Sequence, residues 1–370
     1  MKESIINHHL NSLVSLNTSS ENTLTNLKAL DFIKTAIGGD IITNPADNTS
    51  ILFHQPSRPH ILWIGHVDTV PSQSDQVIKS TKSKLFCRGS FDMKGSIASF
   101  STVLRENPSL KDSVGFLITT DEEKGGFNGA KWLFENNHIN LTHIKAAIVG
   151  EPTNLEIGIN SKGILIIGLT LTGEAAHASQ PWLGISASQG LVELAHQLSK
   201  DIFPFQPKFQ EDWQTSFNLG SINSGDNTTT NIIPNKANMV IDIRFIDTDD
   251  PNILVEKITS IAEKLKQQKI LKDFKLEIRS VNKPEIASLD DPIVNKLSKI
   301  VKEIIGKAKL SNSFGNTDGR HLSSVAPLIP IIRFGPKGGG AHNSSEWVDL
   351  NSLKQEALIL KKLFLNLQDD

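Results

Sequence analysis

Apolar residues along this chain fall into short runs, alternations and helical repeats, and each pattern marks a different element. Ile61-Leu62-Trp63-Ile64 is an unbroken apolar run of strand length and reads as a short buried strand. Gly115 to Thr120 and Lys145 to Val149 repeat the pattern. Between the first two runs, Ile97, Phe100, Val103 and Leu104 share one face of a helix expected from Ser96 to about Glu106, and Gly129 to Asn136 reads as another helix. Residues 1–60 read as an N-terminal helix followed by helix and strand pieces, with a polar turn at 44–48, and 72–84 reads as a polar loop. Strands alternating with helices predict a three-layer α/β sheet.

The pattern changes near residue 164. Ile164 to Thr172 reads as a strand, and Ala187, Leu191, Leu194, Ala195 and Leu198 mark a helix. Ser216 to Ile222 is a candidate strand, and Met239, Ile241, Ile243 and Phe245 alternate with Val240, Asp242 and Arg244 as in a half-buried strand. Ile258, Ile261 and Leu265 mark a second helix, and Phe274 to Ile278 a further strand. The order β-α-β-β-α-β is the ferredoxin-like arrangement. We therefore expect a catalytic domain in two parts, 1–167 and 283–370, with an inserted α+β domain at 168–282. Asp291 as N-cap and Pro292 at the first helical position start a helix ending near Gly306, and Ile331 to Phe334 returns the chain to the first sheet.

Composition narrows the function class. The 370 residues carry a formal net charge of −2, which argues against nucleic acid or an anionic membrane as the main partner. The first residues, MKESIINHHLN, are polar and no apolar run approaches membrane-spanning length, so we expect a cytoplasmic protein. Cys87 is the one cysteine, which excludes an intrachain disulfide and a cysteine-based zinc site. Any metal must be held by imidazoles and carboxylates.

Such groups follow the strands. His66 and Asp68 follow the first run, Glu122 and Glu123 the second, Glu151 the third; Asp92 precedes a helix, and His342 follows the last strand. A strand end is a rigid place for a ligand, and sites in α/β sheets collect outside the carboxyl ends of strands. A lone histidine after a strand is ordinarily a polar loop residue; this constellation is not ordinary. Hydrolysis of an unactivated amide at neutral pH needs a strong nucleophile and a sink for the oxyanion. Two divalent metals supply both, given one bridging carboxylate and a free one as proton shuttle. Imidazole and carboxylate donors favour zinc, with cobalt or manganese as alternatives.

The stretches GHVDTVP at 65–71, RGSFDMKG at 88–95, TTDEEKGG at 119–126, GEPT at 150–153, GEAAHAS at 173–179, NTDGR at 316–320 and AHNSSEWV at 341–348 follow one another along the chain. In this order and spacing the chain resembles the M20 metallopeptidase family of cocatalytic zinc amidohydrolases. The resemblance implies a zinc-exopeptidase-like catalytic domain with a ferredoxin-like lid and dimerisation domain. Asp92 would bridge two metals, with His66 and Glu151 completing one and Glu123 and His342 the other. Glu122 would be the general base. Asp68 would orient His66 from behind. His177, reaching over from the second subunit of a homodimer, would stabilise the oxyanion. Asn231 and Arg244 would face the substrate, Arg320 would clamp a carboxylate, and Gly339 would let backbone approach it closely.

The implied substrate is a small N-acyl amino acid. N-succinyl-diaminopimelate, in lysine biosynthesis, is the first expectation, with N-acetylornithine or a dipeptide as alternatives. The region after His177 lacks the tyrosine that family desuccinylases of the proteobacterial kind carry, and Thr230 replaces the first of their paired asparagines. His321, Cys87 and the histidines outside the motifs read as structural. A scaffold protein on the same fold would be expected to have lost Glu122 or a ligand, and none is lost. No Gly-x-Ser-x-Gly elbow supports a serine hydrolase.

Overall fold

A computed structural model describes residues 4–71, 78–201, 213–226 and 228–368. Most of the polar stretch before residue 78 lies outside the described residues. The chain divides into two compact units, one built from Met1–Ser161 and Glu285–Asp370, the other from Lys162–Pro284. The second unit opens earlier than residue 168 because the strand Gly163–Thr172 belongs wholly to its sheet.

The first unit centres on an eight-stranded mixed sheet. Its order is Asp40–Thr43, Ser50–His54, Val114–Thr119, Ile61–His66, Ala146–Val149, Ile331–Arg333, Ile157–Ser161, Leu310–Ser313. The middle pairings are parallel, so Ile61–His66, Val114–Thr119 and Ala146–Val149 end on the same side. Strands buried on both faces need apolar residues at every position, and period-2 geometry sends alternate ones to opposite layers. Ile61 and Trp63 join the core built with Ile97, Phe100, Leu360 and Phe364. Leu62 and Ile64 join a separate core with Leu133, Phe134 and Leu322. Trp63 stacks on Phe100 with ring centroids 4.0 Å apart, which locks the first strand to the helix Gly95–Glu106. The helix Leu350–Gln368 packs against that helix. As expected, Asp291 caps the helix Pro292–Ile305 by accepting from the N–H groups of Ile293 and Val294, and Gly306 ends it in the left-handed region. A small four-stranded sheet pairs Gly338–Gly339, Trp347–Asp349, Lys84–Phe86 and Lys79–Ser80.

The second unit has the elements Gly163–Thr172, Ala187–Asp201, Ser216–Ser224, Lys236–Phe245, Pro251–Gln267 and Asp273–Asn282, in β-α-β-β-α-β order. Its antiparallel sheet runs Ser216–Ser224, Lys236–Phe245, Gly163–Thr172, Asp273–Asn282. Leu165, Ile167, Leu169 and Leu171 alternate onto one face and meet Leu191, Leu194, Ile258 and Leu265 of the two helices. Among the described residues no helix is long and apolar enough to cross a membrane.

Candidate metal centre

Three adjacent parallel strands deliver the site. His66 closes the first, Glu122 and Glu123 follow the second on a short helical turn, and Glu151 follows the third. Gly150 permits the last of these: a Cβ there would lie 2.5 Å from both Ser96 Oγ and the Trp63 ring. Asp92 lies in the kinked turn before the helix Gly95–Glu106, and His342 sits at a φ of 63° in the loop before Trp347.

These side chains form two groups that share Asp92. His66, Asp92 and Glu151 are one; Asp92, Glu123 and His342 the other; within each group the donor atoms all lie within 4.8 Å of one another. His66 Nε2 is 3.4 Å from Asp92 Oδ1 and 3.4 Å from Glu151 Oε1. His342 Nε2 is 3.3 Å from Asp92 Oδ2 and 3.1 Å from Glu123 Oε2. Asp92 thus turns one oxygen to each group.

The histidine tautomer follows from its back side. His66 Nδ1 is 3.0 Å from the main-chain carbonyl of Asp68, which only accepts, so Nδ1 carries a proton and Nε2 is the atom turned to Asp92 and Glu151. Asp68 is fully buried and its carboxylate is occupied elsewhere: Oδ1 accepts the N–H of Glu122 at 3.2 Å and Oδ2 that of Glu123 at 3.1 Å. Its carboxylate stands 3.5 Å from His66 Nδ1, so Asp68 fixes the imidazole chiefly through its backbone and the Glu122–Glu123 turn through its side chain.

Electrostatics test whether cations fit. Burial opposes a charged His66, yet hydrogen bonds with Asp68, Asp92 and Glu151 push its pKa well above the ordinary value. Hydrogen bonds with Asp92 and Glu123 push His342 up to about 10. Burial and the neighbouring Asp92 charge raise Glu151 to about 7. Although burial opposes it, hydrogen bonds from His342 and His66 hold the Asp92 carboxyl below the usual range. Burial, with Asp318 and Glu151 adding to it, holds Glu122 well above its usual value. Carboxylates crowded enough to drive both imidazoles towards protonation are a cluster short of positive charge, and hard or borderline divalent cations match this N/O donor set.

A cavity of about 440 Å³ opens beside Asp92 and Glu151, lined also by Phe91, Phe314, Asn316 and Arg333. Both polar atoms of the Asn316 side chain are buried without a hydrogen-bond partner. Arg333 is spoken for by Glu285 and by the carbonyls of Asn160 and Gly315.

The remaining expected residues divide. Arg320 is not among the residues lining that cavity; it is 7% exposed and its Nη1 lies 3.7 Å from Glu122 Oε1. Gly339 pairs with Trp347 in the small sheet. In the second unit, His177 and Asn231 are neighbours, because Ala178 N–H donates to the carbonyl of Asn231. The Ser179 N–H donates to His177 Nδ1, which leaves Nε2 as the exposed donor. Arg244 is held bidentately by Asp242 at 2.7 and 2.9 Å. The strand period puts residues two apart on one face, so that pairing was open to inference. Two contributors had no such signal. Glu346 is 1% exposed and supports Asp92, and His321, which reads as bland, is a buried contact of the turn after Glu122.

Residues 62–366 match the sequence model of Peptidase family M20/M25/M40. The succinyl-diaminopimelate desuccinylase of Rickettsia bellii is 30% identical over 317 residues, covering 81% of this chain and 79% of that protein. Among solved structures, the aminopeptidase PepT of Bacillus cereus superposes with a TM-score of 0.80 at 18% identity, covering 97% of each chain. The YXEP protein of Bacillus subtilis, described as a dinuclear metal binding peptidase from the M20 family, gives a TM-score of 0.71 at 14% identity over 99% of each chain. At these identities the two structures establish the fold.

Proposed function

Because the chain belongs to peptidase family M20/M25/M40 and is an M20 family hydrolase, we propose that it is a two-metal amidohydrolase that cleaves the acyl amide of an N-acyl amino acid. The observation that carries this reading is the pair of donor groups joined by Asp92, with Glu122 beside them and outside both. His66, Asp92 and Glu151 would hold one divalent ion, and Asp92, Glu123 and His342 the other; zinc suits the donors best, with cobalt or manganese as substitutes. Ions bound there supply Lewis acidity toward a carbonyl and toward water.

The chain's own residues do the rest. Glu122, as the carboxylate, takes a proton from the attacking water and returns it to the departing amine nitrogen. Asp68 keeps the Glu122–Glu123 turn in register with His66. His177 Nε2–H, as a donor from a second copy of the chain, stabilises the oxyanion, and Asn231 and Gly339 contact the substrate.

N-succinyl-diaminopimelate is the first substrate we propose, supported by the Rickettsia bellii relative, in a cytoplasmic homodimer of the lysine pathway. A second reading, an N-acetyl substrate with fewer carboxylates such as N-acetylornithine, is favoured by the engagement of Arg244 with Asp242 and of Arg320 with Glu122. The test is a turnover panel of N-succinyl-diaminopimelate, N-acetylornithine and dipeptides with zinc, cobalt or manganese added. Turnover of one class that disappears on chelation and returns with the metal is expected. Equal turnover of all classes after exhaustive chelation is the result that defeats the reading.

A further inference from the structure

We infer that Glu285 is a positioning residue that pins Arg333 and cancels its charge, so that the cavity beside Asp92 and Glu151 takes a neutral or ammonium-bearing part of the substrate and not a carboxylate; this rests on the reading of Asp92 and Glu151 as metal ligands of an amidohydrolase. Arg333 is the one basic side chain that lines this cavity among the described residues. It is 5% exposed, and Glu285 is 1% exposed. Charges buried to this degree stay ionised only when they meet each other or a set of dipoles.

The contacts of Arg333 run back into the fold. Its Nη1 donates to the carbonyl of Gly315 at 3.3 Å, Nη2 donates to the carbonyl of Asn160, and Nε stands 3.6 Å from Glu285 Oε2. Glu285 is itself fixed by backbone and side chain. Its N–H donates to Ser161 Oγ at 3.0 Å, and its carbonyl accepts the Ser161 N–H at 2.9 Å. Its Oε1 accepts the N–H and the hydroxyl of Thr317, each at 2.7 Å. Oε2 makes no hydrogen bond among the described residues, so its charge is left to face Arg333. The pair thus holds Gly315 and Thr317 on either side of Asn316, and all three line the cavity.

The charge of the lining follows from this. Burial works against the charge on Arg333, and Glu285 and Glu151 work for it. A cation on Glu151 takes up that carboxylate, and Glu285 is then the counter-ion that remains. Apart from the two ligands and Arg333, the ionisable group of the lining is Glu156, whose Oε1 is 2.9 Å from Lys309 Nζ in an exposed pair. Beyond the metal ions, an entering carboxylate therefore meets no free cation. What the wall offers instead is Ser311, Asn312 and Asn316, and both amide atoms of Asn316 are without a hydrogen-bond partner. Hydroxyls and amides of this kind suit a neutral polar group or an ammonium.

Two measurements test this. The first needs no substrate: a double-mutant cycle of Glu285→Gln and Arg333→Gln in urea unfolding of the full chain. Glu285→Gln removes the charge and keeps an oxygen for Thr317, so the wall stays in place. We expect the loss caused by Arg333→Gln in the unfolding constant to be about fivefold or more larger with Glu285 present than in the Glu285→Gln background. Identical losses in both backgrounds overturn the pairing. The second compares kcat/KM for the panel substrate that the wild type hydrolyses and for analogues that exchange a neutral or ammonium group for a carboxylate, at the acyl end (N-acetyl for N-succinyl) or at the amino-acid side chain (ornithine for glutamate). Glu285→Gln should shift the preference at one of the two ends toward the carboxylate analogue by about tenfold or more, and adding Arg333→Gln should abolish the shift. Unchanged preference at both ends, or a shift that survives in the double variant, overturns the inference. If the wild type hydrolyses none of the panel, the proposed function falls while the unfolding cycle still decides the pairing.

Discussion

Glu346 holds Asp92 by its backbone: its Oε1 accepts the N–H of Asp92 at 3.1 Å and that of Phe91 at 2.9 Å, while Oε2 takes Arg88 Nη1 at 3.0 Å. The carboxylate that both donor groups share is thus aimed by another carboxylate 254 residues away in sequence. Supports of this kind raise metal affinity by holding a ligand's direction.

Glu346→Ala should therefore strip two buried N–H groups and one guanidinium of their acceptor, costing on the order of 2 kcal/mol of stability and about tenfold or more in metal retention. Glu346→Gln keeps one acceptor oxygen and should fall between. Metal content after dialysis against a graded chelator, read beside the thermal midpoint, checks this. Wild-type retention by the alanine variant would mean that Asp92 does not depend on Glu346.

Glu122→Ala separates ligand from base. Glu122 lies outside both donor groups, so the variant should keep the metal content of the wild type while kcat falls by roughly 10²- to 10⁴-fold. Loss of metal together with activity would assign Glu122 to the ligand set instead.

His177 offers a test of the dimer. Its Nδ1 accepts from the Ser179 N–H, so the neutral ring carries its proton on the exposed Nε2, as an oxyanion donor requires. His177→Ala and Glu122→Ala should each be nearly inactive alone. Mixed one to one and allowed to exchange subunits, they should recover about one quarter of wild-type activity, because half the dimers would be hybrids with one complete site each. No recovery after demonstrated exchange would place His177 and Glu122 in the same subunit's site.

How far the sequence reached follows from the kind of contact involved. The Ile61–Ile64 run disclosed a doubly buried strand because Trp63 and Leu62 must both be apolar when each faces a different core. The convergence of His66, Glu123 and Glu151 followed from parallel neighbours ending on one side. The α+β unit was readable from its alternations and so was its first strand from Ile164, but a domain boundary at 168 cuts through that strand, which lies wholly in the second unit. Glu346 shows the limit most clearly: its hold on Asp92 runs through the backbone N–H groups of Phe91 and Asp92, which leave no mark in the sequence.

Glu356 gives a pH prediction free of the metal centre. It is fully buried on the helix Leu350–Gln368, with Ser96 Oγ hydrogen-bonded to Oε1 and Oε2 without a partner. Burial raises its pKa from 4.5 to about 8. The folded chain therefore keeps this proton over a range in which the unfolded chain has released it. The sign is fixed: stability from this group is intact below about pH 4.5 and declines as pH rises toward 8, because the unfolded state alone gains by ionising. Glu356→Gln has nearly the same shape, can donate to Ser96 as the protonated acid can, and does not ionise. The variant should thus gain on the wild type steadily between about pH 5 and 8, by on the order of 2 kcal/mol or more across the window. Asp121, also raised to about 7 by burial, titrates in both proteins and cancels in the comparison. Urea unfolding at half-unit pH steps measures the difference, and a gap between the two proteins that stays constant with pH would show that Glu356 is ionised in the fold at neutral pH.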